Sequence, residues 1–143
     1  MRVSRLLLAG GLALLVAITM SVVPSAQAKT DEDYDKLMKS VGAANGAMRK
    51  AAEGQMADGV AAEAKKLQAL FADVGAFWAG RSNTEAADWA KAAMGHAASV
   101  EKAAAAKNME TMAASMKELG GTCQACHMKN REKTEAGFAI KKG

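Results

Sequence analysis

The sequence predicts an all-α protein, an antiparallel up-and-down bundle of four helices. Three observations carry that prediction. The only proline is Pro24, so nothing after it breaks a helix from within. The region from Lys29 onward is rich in Ala, Lys, Glu, Met and Leu and poor in the β-branched and aromatic residues that favour strands. Apolar residues recur at helical spacing in four stretches of about 20 residues. Short breaks between such stretches make neighbours antiparallel.

Residues 1–28 read as a cleaved signal peptide. Met1, Arg2 and Arg5 form a positive start, "LLLAGGLALLVAITMSVV" is an apolar run, and Ala26-Gln27-Ala28 is the small-x-small triplet that signal peptidases cut after. A retained membrane anchor is the competing reading, because the run approaches the length that spans a bilayer. Pro24 and the triplet stand where a cleavage region belongs and favour cleavage. The mature chain, 29–143, is long enough for one domain with one core. Cleavage removes Arg2 and Arg5 and no acid, so the formal charge falls from +4 to +2. That surplus is too small to suggest a nucleic-acid partner.

The first helix is expected from about Asp31 to Ala52. Asp31, Glu32 and Asp33 at its start and Arg49 and Lys50 at its end suit the helix dipole, and Gly54 is placed to stop it. Its stripe is Tyr34, Leu37, Met38, Val41, Met48 and Ala52. The second helix runs from near Asp58 to about Trp78 on a face of Val60, Ala64, Leu67, Leu70, Phe71, Val74 and Phe77. "AGRSNTE" breaks the pattern, with Ser82 and Glu85 spaced as a capping box. The third helix is expected over Glu85–Ala106, carrying Trp89, Met94 and Val100. The fourth starts near Asn108 as N-cap, and its stripe of Met109, Met112, Met116 and Leu119 leads into "GGTCQACHMKN". The tail "TEAGFAIKKG" is expected to be loosely held, and no segment reads as a strand.

The only two cysteines, Cys123 and Cys126, sit beside His127. On a helix, positions i, i+3 and i+4 share one face. A bridge between the thiols would staple almost nothing, which points to chemistry rather than cross-linking. Cys-x-x-Cys-His is the attachment signature of c-type haem, whose vinyl groups take the two thiols as thioethers while the histidine ligates the iron. Rival readings are a structural zinc site, which wants a fourth ligand and has only His96 to spare, and a redox thiol pair, which wants a βαβ context. Gly120 and Gly121 inside a helix each cost about 1 kcal/mol relative to alanine. Either a porphyrin approaches the backbone there or the helix is interrupted.

With these features the chain resembles the class II c-type cytochromes, the family of cytochrome c prime. The resemblance spans the mature region: signal peptide, four helices, and a haem motif near the carboxyl end. "GGTCQACHMKNR" is similar to the family's pattern of Gly, Cys-x-x-Cys-His, then Arg131 four residues on. "EAADWAKAA" resembles the family's tryptophan-bearing third helix, although an aromatic expected soon after is missing. The resemblance implies one haem c held by Cys123 and Cys126, with His127 as iron ligand; Arg131, one turn on, is either the partner of a propionate or a solvated charge that the helix dipole favours. "DKLMKSVGAANGAM" looks like the low-spin branch, which makes Met38 the implied sixth ligand. Spacing alone leaves that choice open, since Met48 lies about 15 Å further along the same helix on a similar face and methionine is a common core filler.

The function implied is a periplasmic monohaem carrier of single electrons between redox partner proteins, not an enzyme, with no membrane attachment after cleavage. Relatives pair through their first two helices, so a homodimer is compatible with the apolar faces. If Met38 is only core, the alternative is a five-coordinate haem protein that binds nitric oxide or carbon monoxide. Lys129, Lys133, Lys141 and Lys142 make the carboxyl end basic, a charge able to steer an acidic partner.

Overall fold

A computed structural model describes Ala28 and residues 30–142; the expected signal peptide up to residue 27, and Lys29 just after its cleavage point, lie outside the described residues. The chain forms four helices packed as a bundle: α1 (Asp31–Glu53), α2 (Ala57–Gly80), α3 (Thr84–Ala105) and α4 (Met109–Asn130). Two short strands follow, β1 (Arg131–Thr134) and β2 (Gly137–Ile140), paired antiparallel. None of the helices among the described residues is long and apolar enough to cross a membrane.

The core is built from the expected stripes. Val41 and Met48 of α1, most of the α2 face, and Met112 and Leu119 of α4 are buried, whereas Met109 is exposed. On α3 the buried positions are mainly alanines, among them Ala86, Ala90, Ala93 and Ala97. Small side chains let α3 lie close to its neighbours: a Cβ placed on Gly75 of α2 would come 3.6 Å from the Ala90 Cβ. The alanine bias therefore reflects close packing.

All three interhelical turns use one geometry. Each helix ends on a residue near helical dihedrals, and the next, Gln55, Ser82 or Lys107, takes the left-handed conformation with φ of 55°, 57° and 54°. The residue after it returns its N–H to a carbonyl five positions back: Met56 to Ala51 at 2.8 Å, Asn83 to Trp78 at 3.1 Å and Asn108 to Ala103 at 2.9 Å. This is the Schellman ending, normally made with glycine at the left-handed position. Gly54 stands one residue too early to serve, with φ −79°. A non-glycine residue in that conformation carries a steric cost. Lys107→Gly is therefore expected to raise stability by about 0.5–1 kcal/mol, read as a higher urea midpoint at unchanged slope.

Two expectations are corrected here. The third helix is capped by Asn83, whose side chain accepts from the Ala86 N–H at 3.0 Å, and not by Ser82. Ser82 is spent on the left-handed turn, and an N-cap needs an extended backbone. The tail is not loose: residues 131–140 form the hairpin, reversing at Glu135-Ala136 with Gly137 at φ 131°. Such a backbone is open to glycine and closed to most other residues.

The bundle's seams are unequal. α1 packs on α2, α2 on α3 and α3 on α4, but α1 and α4 close no comparable seam. The hairpin bridges them at one end, because β1 continues from α4 and β2 lies against α1. The Lys141 N–H donates back to the Asn130 carbonyl at 2.9 Å, tying the far strand to the end of α4.

Candidate functional site

α4 runs unbroken through Gly120 and Gly121, which overturns the reading of an interrupted helix. Gly120 shares a face with His127, two turns on, and a Cβ there would come 3.6 Å from the Arg49 guanidinium of α1. A Cβ on Gly121 would meet nothing within 4 Å, and nothing in the structure calls for glycine at that position. The continuous helix puts Cys123, Cys126 and His127 on one face, all half-buried. Both cysteines are free thiols.

That face looks into a cavity of about 430 Å³ lying along the open seam, within the size range of cofactor sites. Cys126 and His127 line it from α4, and Tyr34, Met38 and Gly42 line it from α1. Trp78 closes it from α2 and Ile140 from β2. A second, small space of about 20 Å³ lies between Met38, Phe71, Trp89 and Cys123 and shares Tyr34, Met38, Cys126 and His127 with the first. A Cβ added to Gly42 would meet nothing within 4 Å, so the α1 wall is open at that point. Met38 is half-buried at both spaces, whereas Met48 is 1% exposed inside the core. The fold thus separates the two methionines that spacing could not.

Electrostatics keep the donor set neutral. Burial pushes both thiols above their usual range, against the milder opposing pull of the Cys123 backbone and Arg49 on one and of the Asn130 amide on the other. Burial, helped by the Arg131 charge, pulls the His127 imidazole below its usual value. At neutral pH His127 is therefore uncharged and offers a nitrogen lone pair.

Several supporting residues escape sequence reasoning. The Trp78 indole N–H donates to the Tyr34 hydroxyl at 3.0 Å, and Tyr34 stacks on Phe77 with centroids 4.2 Å apart. Burial pushes the Tyr34 pKa up to about 12, so the phenol stays protonated. Asn83 donates to the Asn130 side-chain oxygen at 3.0 Å, and the Asn130 amide donates to the Cys126 carbonyl at 3.2 Å and lies 3.7 Å from its sulfur. The turn that caps α3 thereby braces the second cysteine. A capping residue beside a turn was legible; its second bond to α4 was not.

Arg131 caps α4 and opens β1 at the cavity mouth, exposed, with its guanidinium 4.1 Å above the Phe138 ring. Trp89 sits on α3 at the small second space, with the Lys129 ammonium 5.8 Å from its ring centroid. His96 is half-buried on α3 and lines neither space. Among the described residues no three His, Cys, Asp or Glu side chains are placed to hold one metal ion together. No family model matches the chain, and no curated protein or solved structure matches it either.

Proposed function

We propose that the chain is a monohaem c-type cytochrome of the class II kind, carrying single electrons between partner proteins in the periplasm. One observation carries this reading: Cys126 and His127 on α4 and Met38 on α1 border both the cavity and the small space beside it, Cys123 borders the small space, and α1 and α4 close no seam there comparable to the others among the described helices. The donor chemistry fits the group. Two neutral thiols suit thioether attachment, and a neutral imidazole and a thioether sulfur are donors that haem iron takes. The rivals are less well supported, because the thiols and imidazole are not gathered for a shared ion and two strands in a hairpin make no βαβ unit.

When bound, the haem supplies the one-electron cycling between ferric and ferrous iron. The chain's own residues do the rest. Cys123 and Cys126 would hold the group, His127 and Met38 would ligate its iron, and Arg131 offers positive charge at the mouth. Tyr34, Trp78 and Ile140 wall the space against water. Met38 is half-buried on a packed helix, so its sulfur would be held in place as a ligand whichever oxidation state the haem supplies.

The test is the optical spectrum of the haem-loaded protein with and without carbon monoxide, alongside Met38→Ala. The wild-type protein is expected to be low-spin and indifferent to the gas, and Met38→Ala to bind it stoichiometrically. A wild-type spectrum that is high-spin and shifts at once would return Met38 to packing and make gas binding the function.

A further inference from the structure

We propose that a surface groove beside the hairpin, bordered by His127, Met128 and Phe138, is the docking site for an acidic redox partner protein; this rests on the electron-carrier reading above. The groove has a volume of about 510 Å³, and the charged side chains in its lining are Arg131 and Lys133 with one acid, Glu132. His127 borders both this groove and the cavity behind it, so the groove is the outer side of the residue assigned to the iron. An electron leaving by the imidazole would emerge here.

The groove's two large apolar side chains are held out in solvent. Met128 is 66% exposed and Phe138 59%. Phe138 pairs across the hairpin with Lys133 and carries the Arg131 guanidinium on its ring, so both cations of β1 stand beside it. An apolar centre with a charged rim is the anatomy of a protein interface.

The charge is concentrated at this end. Residues 128–142 hold five Lys or Arg against two Glu, while residues 31–127 hold eleven against thirteen acids. The α1 acids that line the neighbouring cavity are already matched: Asp31 pairs with Arg81 and Asp35 with Lys39. Lys133 and Lys142 make no ion pair among the described residues. Uncompensated positive charge around an apolar centre favours an acidic partner and speeds its approach. Glu132 and Glu135 stand exposed among these cations, and a protein partner can answer each with a cation of its own.

The experiment is an NMR titration of the isotope-labelled protein as isolated, with poly-glutamate and with a glutamate–tyrosine copolymer as probes. Shifted amides are expected to cluster at residues 127–142, with the copolymer binding several-fold tighter. Lys133→Glu with Lys142→Glu should weaken both probes at least tenfold at low salt. Met128→Ser with Phe138→Ser should remove the copolymer's advantage. Shifts spread over Lys65 and Lys66, or variants that bind as the wild type does, would overturn the proposal. So would broadening at 127–142 that grows with protein concentration alone, the sign of a second copy, or co-sedimentation with phosphatidylglycerol vesicles. The mapping needs no redox turnover, so its outcome is separate from that of the Met38 test.

Discussion

Serine at both Cys123 and Cys126 will give a folded helical protein that carries no covalently bound haem. The fold does not rest on these thiols: they are half-buried on the open seam, while the core lies along the α1–α2, α2–α3 and α3–α4 seams. A hydroxyl replacing a thiol there costs no more than about 1–2 kcal/mol. Haem staining after denaturing electrophoresis is the readout, with circular dichroism to confirm folding. The wild type should stain, the double variant should not, and each single variant should retain one thioether. A wild-type chain exported with its haem-attachment machinery that fails to stain would falsify the cytochrome reading altogether.

The largest effect on stability is expected from Trp78→Ala, a loss of about 3–5 kcal/mol. Trp78 is 4% exposed, and it meets Tyr34 and Phe77 edge-on with centroids 5.4 and 5.3 Å away. Removing it leaves a void and strips the Tyr34 hydroxyl of its donor. Trp78→Phe keeps much of the packing and loses only the hydrogen bond, so its cost should be nearer 1–2 kcal/mol. Urea denaturation of both variants separates the two contributions. A loss below about 1 kcal/mol for the alanine variant would mean that the cavity wall collapses around the gap and owes its shape to other residues.

Much of this architecture is legible before folding. The stripes of α1 and α2 combine large apolar residues at 3.6-residue spacing, and such a pattern has one helical reading. Asn108 announces α4 because nothing competes with it as a cap. Ser82 and Asn83 are both capping types, and the choice between them depends on which residue the turn bends into the left-handed region. The hairpin is hidden for another reason: every residue of β1 is exposed, so no apolar alternation marks it. The buried face of α3 is equally quiet, since alanine carries little hydrophobic contrast.

At the site, the motif places three donors on one face by helical geometry alone. Met38 and Met48 are equivalent along the sequence, and only the packing of α1 sends one to the cavity and the other to the core. The Tyr34–Trp78 bond joins residues 44 positions apart, a pairing that no local pattern encodes.

The order of the seams bears on how the chain reaches its shape. Every well-packed helix pair consists of neighbours in the sequence, and the one pairing that would join the first helix to the last is the one left open. Contacts of that kind need only short loops to close, and bundles dominated by them fold in roughly microseconds to milliseconds. Assembly can spread from α2 and α3 outward without waiting for the chain's ends to find each other. The polypeptide is thus able to finish folding with its seam still ajar, so that a flat group, if one is attached there, could enter as a separate and later event.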